Sequence, residues 1–208
     1  MRRRRGGCAT KRGESSMSHY HALPYGQRQP VIAPNAFVAA GAVLVGDVTL
    51  SEQSSIWYGA VIRGDVAPVR IGARTNIQDG TVIHVSRDRP EGTLIGADVT
   101  VGHMALIHAC TLEDECLIGM KACVMDGAVV ERHAWVAAGA LVTPGKRVLS
   151  GQLWAGMPAR YVRDVRPEDV EMIREAARLY VENGIQHHRC QEPLGPRGTA
   201  ADAAHSVS

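Results

Sequence analysis

Aliphatic residues recur at every sixth position through most of this chain. A period of six fits neither the 3.6 residues of a helical turn nor an isolated strand, but it is a multiple of two. The aliphatic residues can therefore lie on one face of short strands joined by tight turns. A repeat of this length predicts a parallel β-helix, in which stacked coils bury one aliphatic column. The four uninterrupted series are Ile32, Val38, Leu44, Leu50, Ile56 and Ile62; Ile71, Ile77 and Ile83; Ile95, Val101 and Ile107; and Leu112, Ile118, Val124, Val130, Val136, Val142 and Val148.

The period is broken three times, and polar residues lie beside each break. Nine steps separate Ile62 from Ile71, twelve separate Ile83 from Ile95, and five separate Ile107 from Leu112. The middle of the second gap, residues 86–92, is polar and is predicted to be a loop that leaves the coil at a corner. The breaks lie beside side chains that a structural coil does not need, so function is expected there. These side chains are Arg63 and Asp65, His84, and His108.

Three histidines within the coils are candidate metal ligands. If three hexads make one coil and the loop at 86–92 consumes no strand, Ile83 and Ile107 lie on the same face of successive coils. His84 and His108 would then be about 4.8 Å apart, the spacing of neighbouring strands, and could bind one metal. His103 belongs to the strand between them and so to another face. A neighbouring subunit would have to supply it, which favours a three-fold assembly with metal at each interface.

The residues alone leave other interpretations of the histidines open. Histidines in a β-helix can be surface or hydrogen-bonded residues, and some repeat enzymes use one as a base. We expect His133 to be a turn residue without partners. The remaining histidines near the termini, including His21, His187 and His188, are expected to be solvated.

Four sets of residues form a recognisable motif pattern: residues 63–65, residues 76–85, residues 101–103 with 107–110, and residues 117–120 with 124–128. They resemble the γ-class carbonic anhydrase family, and the resemblance extends over about residues 24–181. The resemblance implies a left-handed parallel β-helix that assembles as a homotrimer. It also implies zinc, or iron or cobalt in some members, bound by three histidines at each subunit interface. His84 and His108 would come from one subunit and His103 from the next.

The same resemblance assigns further roles. Gln78 would orient the metal-bound hydroxide, and Asn76 would help to hold the substrate, CO2 or bicarbonate. Arg63 and Asp65 would form an ion pair between subunits, with Asp79 in the same polar network. Tyr180, on the C-terminal helix, matches a tyrosine that reaches the site in relatives.

One position departs from the family pattern. The most active members carry an acidic proton shuttle in the loop after the first zinc histidine, and here that position is Arg87. Because CO2 hydration must export a proton in each turnover, we expect the reaction to be slow at low buffer concentration.

The chain divides into four predicted segments. Residues 1–20 read as a disordered basic leader, 21–166 as the β-helix domain, 167–185 as an α-helix and 186–208 as a disordered tail. Within the domain, coils at 31–155 are followed by a connector at 156–166. The helix prediction rests on Pro167 at its first position, acidic Glu168 and Asp169 in its first turn, and Gly184 at its exit.

Composition and charge exclude some classes of function. Of the net charge of +2, residues 1–16 contribute six basic groups and one acidic group, so the remainder carries −3 and does not suggest nucleic-acid binding. No apolar run approaches the ~18 residues of a membrane span. Five cysteines without a C-x-x-C pair indicate reduced thiols and a cytoplasmic protein.

Two alternative functions remain. Residues 155–160 resemble the end of many hexapeptide acyltransferases, so an acyltransferase or acyl-CoA thioesterase is one alternative. A non-catalytic trimer that keeps the metal as a structural staple is the other.

Overall fold

The computed structural model describes residues 20–190, which form twenty strands and one helix. The helix is α1 (Pro167–Cys190). The strands are β1 (His21–Leu23), β2 (Val31–Ile32), β3 (Phe37–Val38), β4 (Val43–Leu50), β5 (Ser55–Ile56), β6 (Val61–Ile71), β7 (Asn76–Ile77), β8 (Val82–His84), β9 (Thr93–Ile95), β10 (Thr100–Val101), β11 (Leu106–His108), β12 (Thr111–Leu112), β13 (Leu117–Ile118), β14 (Cys123–Val124), β15 (Val129–Val130), β16 (Trp135–Val136), β17 (Leu141–Val142), β18 (Arg147–Val148), β19 (Gln152–Gly156) and β20 (Ala159–Asp164).

The strands stack into three faces of a parallel β-helix. The first face consists of β1, β8, β11, β14 and β17 with the N-terminal halves of β4 and β6. The second face consists of β2, β9, β12, β15 and β18 with the C-terminal halves of the same two long strands. The third face consists of β3, β5, β7, β10, β13, β16, β19 and β20.

Strand register confirms that three hexads make one coil. Leu44 pairs with Ile62, and Val124 pairs with Val142, each 18 residues apart. The separation grows to 24 where the loop at 86–92 intervenes, between Ile83 and Ile107, and falls to 17 between Ile107 and Val124. The breaks in the period are therefore absorbed at corners, and every aliphatic residue of the four series except Ile32 is buried. The predicted parallel β-helix with a C-terminal helix is confirmed.

The break between Ile62 and Ile71 appears as strand rather than loop. Its extra residues lengthen β6 to 11 residues, so this strand turns the corner between the first and second faces without interruption. β4 turns the same corner beside it, with a register shift between Gly46 and Val48. Gly46 has φ +75°, and a Cβ there would lie 2.5 Å from the Gly64 carbonyl oxygen, so no larger residue fits between the strands.

Helix α1 packs on the third face against β3, β5, β7 and β10. It ends at Cys190, which corrects the prediction of an end at 185 and of a loose tail from 186. Gly184 is not the exit signal, because it is buried within the helix and a Cβ on it would lie 3.3 Å from Phe37 Cβ. Because Gly184 has no side chain, helix α1 can pack closely against the sheet. The predicted leader, apart from Tyr20, and the tail beyond Cys190 lie outside the described residues.

The chain leaves the β-helix through a hairpin. β19 and β20 pair antiparallel, so the predicted connector at 156–166 is mostly strand. Cys110 and Cys116 are free thiols in the core, and burial raises the pKa of both, which makes them packing residues. Between Tyr20 and Cys190, no helix is long and apolar enough to cross a membrane.

Candidate metal centre

The predicted site residues lie at two different corners of the β-helix. One group, here called the first half-site, lies where the first face meets the second: Arg63, Asp65, His84 and His108. The other, the second half-site, lies where the third face meets the first: Asn76, Gln78, Asp79 and His103. The first face, with strands β8 and β11, separates the two half-sites.

His84 and His108 converge in the first half-site, as the period predicts. They are register partners at the ends of β8 and β11. His84 Nδ1 lies 3.1 Å from His108 Nε2. Two ligands of a tetrahedral zinc are separated by about 3.3 Å when each Zn–N bond is about 2.05 Å. The pair therefore has the spacing of two zinc ligands.

Carboxylates hold the outer nitrogen of each ring. His84 Nε2 lies 3.1 Å from Asp65 Oδ1, and His108 Nδ1 lies 2.6 Å from Asp126 Oδ1. Asp65 also accepts a hydrogen bond from Arg63 of the same subunit. Carboxylates that bind the outer nitrogens fix the tautomers and orientations of metal-binding histidines.

The surroundings of Asp65 and His84 favour a charged carboxylate and a neutral imidazole. Burial would raise the pKa of Asp65, but hydrogen bonds from Arg63 and His84 outweigh it and lower that pKa, so this carboxylate stays charged. Burial lowers the pKa of His84, although the Asp65 hydrogen bond opposes it. Because a metal binds the neutral imidazole, the lowered pKa keeps His84 ready to bind at neutral pH.

The one-residue deletion after Ile107 sharpens the turn beside His108. Ala109 adopts the left-handed region with φ 44°, and its N–H donates to the His84 carbonyl oxygen at 3.1 Å. A left-handed conformation costs an L-residue about 1–2 kcal/mol. The tight corner thus carries strain while it ties the backbones of the two histidines together.

The second half-site is a stack of turn residues on successive coils. The Gly80 N–H donates to the Tyr58 carbonyl oxygen at 2.9 Å, and the Met104 N–H donates to that of Asp79 at 2.9 Å. This places His103 directly after Asp79 in the stack, and His103 Nδ1 lies 2.8 Å from Asp79 Oδ2. His103 therefore lies in the turn after β10, not on a strand as predicted.

Asn76 and Gln78 lie beside this stack under helix α1. The Asn76 amide donates to Thr100 Oγ1 at 2.8 Å, and the Gln78 amide donates to Asn76 Oδ1 at 3.0 Å. Both side chains are buried. Tyr180 packs edge-on against Trp57, with ring centroids 5.1 Å apart. It thus belongs to the aromatic cluster under the helix.

Three side-chain interactions in the structure were not predicted from the sequence. Asp126 received no role, although it lies in the turn one coil after the turn that follows His108. His187 is not a solvated terminal residue: its Nδ1 lies 2.9 Å from Tyr58 Oη, and its ring packs against Trp57. His133 has a partner, Glu115, at 2.7 Å.

A single subunit does not hold a complete metal site within residues 20–190. No group of three or more histidine, cysteine or acidic side chains in that range could hold a metal ion. The first half-site supplies two imidazoles, and His103 lies at the other corner. The donor set fits a three-histidine metal only if a second subunit contributes.

The fold and these half-sites define a hexapeptide-repeat protein with candidate metal-binding histidines at two corners. Named relatives align with most of the chain. The gamma carbonic anhydrase 2 of Arabidopsis thaliana is 46% identical over 158 residues, which cover 74% of this chain and 57% of that protein. A carbonic anhydrase of Geobacillus kaustophilus is 40% identical over 169 residues, which cover 81% of this chain and 92% of that one. The solved structure of a hexapeptide transferase family protein from Anaplasma phagocytophilum superposes with a TM-score of 0.77 at 41% identity, over 80% of this chain and 98% of that one.

The chain belongs to the gamma carbonic anhydrase family. It spans just under three fifths, 57%, of the length of the first Arabidopsis relative. No family model matches the chain.

Proposed function

We propose that this protein is a zinc-dependent γ-class carbonic anhydrase that catalyses the reversible hydration of CO2 to bicarbonate. His84 and His108 of one subunit and His103 of a neighbouring subunit would bind the metal in a homotrimer. Fe2+ or Co2+ are alternatives to Zn2+. The observation that carries the proposal is the convergence of His84 and His108 at 3.1 Å, with each outer nitrogen held by a carboxylate.

The residues of the chain prepare this chemistry. Zinc held by three neutral imidazoles lowers the pKa of a bound water to about 7 and so supplies a nucleophile at neutral pH. Asp65, Asp126 and Asp79 fix the orientation of the three imidazoles. Gln78, whose amide is held by buried Asn76, would orient the nucleophile by a hydrogen bond. Arg63 keeps Asp65 charged.

Exposed apolar side chains on the first face support the proposed trimer. The outer surface of this face and the adjoining turns carry Val82, Met104, Leu106 and Met120. Contiguous exposed apolar residues mark interaction sites. These lie between the two half-sites, so an interface on this face would bring the first half-site of one subunit to the second half-site of the next.

A cytoplasmic location is part of the proposal. It is supported by the free thiols of Cys110, Cys116 and Cys123. The Arabidopsis relative, by contrast, is named as mitochondrial. We propose no nucleic-acid or membrane partner.

Metal analysis beside stopped-flow CO2 hydration at varied imidazole concentration tests the proposal. We expect one metal for each subunit and a limiting rate that rises with imidazole. Arg87→Glu should raise the rate at low buffer and leave kcat/KM almost unchanged, because proton export follows hydration. Gln78→Ala should instead lower kcat/KM, because it disturbs the nucleophile. Full zinc occupancy without hydration would overturn the carbonic anhydrase proposal.

Acyl-group chemistry is a second candidate, because the Anaplasma protein of similar fold is named as a transferase. An acyl transfer would need one histidine as a base rather than three as ligands. Release of free thiol from acetyl-CoA, unaffected by metal removal, would favour this candidate.

A further inference from the structure

Next to the first half-site lies an open depression built around a tight turn. Tyr25 and Arg28 pair across Gly26 and Gln27, with the Tyr25 N–H 2.8 Å from the Arg28 carbonyl oxygen and the Arg28 N–H 3.1 Å from that of Tyr25. The turn sits on the corner between the first and second faces. Arg28 Nη1 donates to the Asp65 carbonyl oxygen at 3.1 Å, which fixes the guanidinium at the rim.

Arg87 reaches the same depression from the loop at 86–92. Tyr25, Arg28 and Arg87 line it together with Asp65 and Val66. Asp65, Val66 and Arg87 also line the adjoining depression that contains His84 and His108. The two depressions are therefore continuous, and Arg87 borders both.

Both arginines carry uncompensated charge. Within residues 20–190, neither Arg28 nor Arg87 forms an ion pair with a carboxylate, whereas Arg63 pairs with Asp65 and Arg89 lies 3.5 Å from Glu91. The Asp65 carboxylate, which borders the depression, is already bonded to Arg63 and His84. Two guanidinium groups without acidic partners thus face one concave surface.

We propose that Arg28 and Arg87 form a binding site for a small oxyanion. The planar guanidinium group binds carboxylates and phosphates alike through two parallel hydrogen bonds, so the chemical class is a small oxyanion. This proposal rests on the proposed function in naming bicarbonate, the product formed in the adjoining depression. The site holds that anion on its way between the metal centre and solvent.

Thermal unfolding of the full chain tests the site. Bicarbonate at ten times its Kd should raise the Tm by about 3 °C over chloride at equal ionic strength, because it binds only the folded state. Acetate and phosphate should do the same, because guanidinium groups bind both. Arg28→Ala and Arg87→Ala should each abolish the difference between bicarbonate and chloride.

Two further variants separate this site from the others. Arg160→Ala is the matched control: Arg160 is also exposed and also donates to a backbone carbonyl, but lies on the terminal hairpin, so the shift should persist. His84→Ala should lose metal and hydration yet keep the shift, so a failure of the proposed function and a failure of this site remain distinguishable. The proposal is overturned if wild type shows no shift beyond chloride, if His84→Ala abolishes the shift, or if Arg28→Ala retains it.

Discussion

At the scale of single residues, Asp126 sets the orientation of the His108 ring. Its carboxylate lies 2.6 Å from His108 Nδ1, which leaves Nε2 directed at His84. Loss of a carboxylate that orients a metal-binding histidine typically costs about 10–100-fold in metal affinity.

We therefore expect Asp126→Ala to lower zinc affinity by about 10–100-fold, measured by competition with a chromophoric chelator. Asp126→Asn keeps an acceptor oxygen and should recover part of the loss. Asp88→Asn, in the neighbouring exposed loop, serves as the control and should bind zinc like wild type. Unchanged affinity in Asp126→Ala would contradict the orienting role.

The sequence predicts contacts between side chains that the hexad spacing places on the same corner. It does not predict contacts that depend on how separate elements pack together. The spacing predicted the approach of His84 to His108. The coil that follows Ile107 is 17 residues long, so the 18 residues from His108 to Asp126 do not match it, and spacing alone does not predict their contact. Nothing in the spacing points from Tyr58 to His187, because that contact depends on how helix α1 lies across the third face.

At the scale of elements, Glu115 ties helix α1 to the β-helix. It lies in the turn before β13 and contacts Arg174 of the helix at 2.9 Å and His133 at 2.7 Å, with Arg132 as a third partner. Burial would raise the pKa of Glu115, but the hydrogen bonds from His133, Arg174 and Arg132 lower it from 4.5 to about 2.

The lowered pKa makes this contribution to stability dependent on pH. The stabilisation by Glu115 is fully present above pH 4.5, which is the ordinary pKa of a glutamate. It is lost as the pH falls towards 2. Glu115→Gln should lower the free energy of unfolding by about 2 kcal/mol at pH 7. The difference from wild type should shrink between these two pH values, as measured by urea denaturation at a series of pH values.

The control for this variant is Glu175→Gln. Glu175 pairs with Arg178 on the solvent side of the same helix, and its removal should change stability little. A stability difference for Glu115→Gln that does not vary with pH would mean that the charge of Glu115 is not what holds the helix.

The elements also show where sequence patterns stop being informative. Pro167 and the acidic first turn predicted the start of α1 correctly. Gly184 misled the prediction of its end, since a glycine that permits close packing looks in sequence like one that ends a helix. The hairpin of β19 and β20 lacks the hexad period and was expected to be a connector.

At the scale of the whole molecule, the exposed apolar strip on the first face is the proposed subunit interface. Leu106→Asp places a charge there and should convert trimers to monomers that bind no metal. Sedimentation velocity with metal analysis measures both effects. Leu149→Asp, at an exposed position at the end of the β-helix, should remain trimeric. Trimers of Leu106→Asp with full metal would contradict the proposed interface.

Mixed assemblies test the sharing of the site directly. His84→Ala and His103→Ala chains should each lack metal. Refolded together in equal amounts, they should regain metal in about a quarter of the sites, because random neighbours sometimes bring two intact half-sites together. Verified heterotrimers that never recover metal would show that the site is not shared.

The six-residue period of the sequence predicts the coils of one chain but not how the subunits assemble. Stacked hexads determine which residues share a corner within one chain. The proposed interface on the first face depends on complementarity between two surfaces, which no spacing along one chain reveals.

The presence of both half-sites on every chain has a genetic consequence. In the proposed trimer, a chain with one damaged corner would spoil a single site, and a chain with both corners damaged would spoil the sites on either side of it. An allele that carries His84→Ala and His103→Ala together, expressed equally with wild type, would leave about a quarter of the sites intact, against about half for either change alone. Damage at two corners of one chain would thus act as a dominant trait, although neither half-site touches the other within that chain.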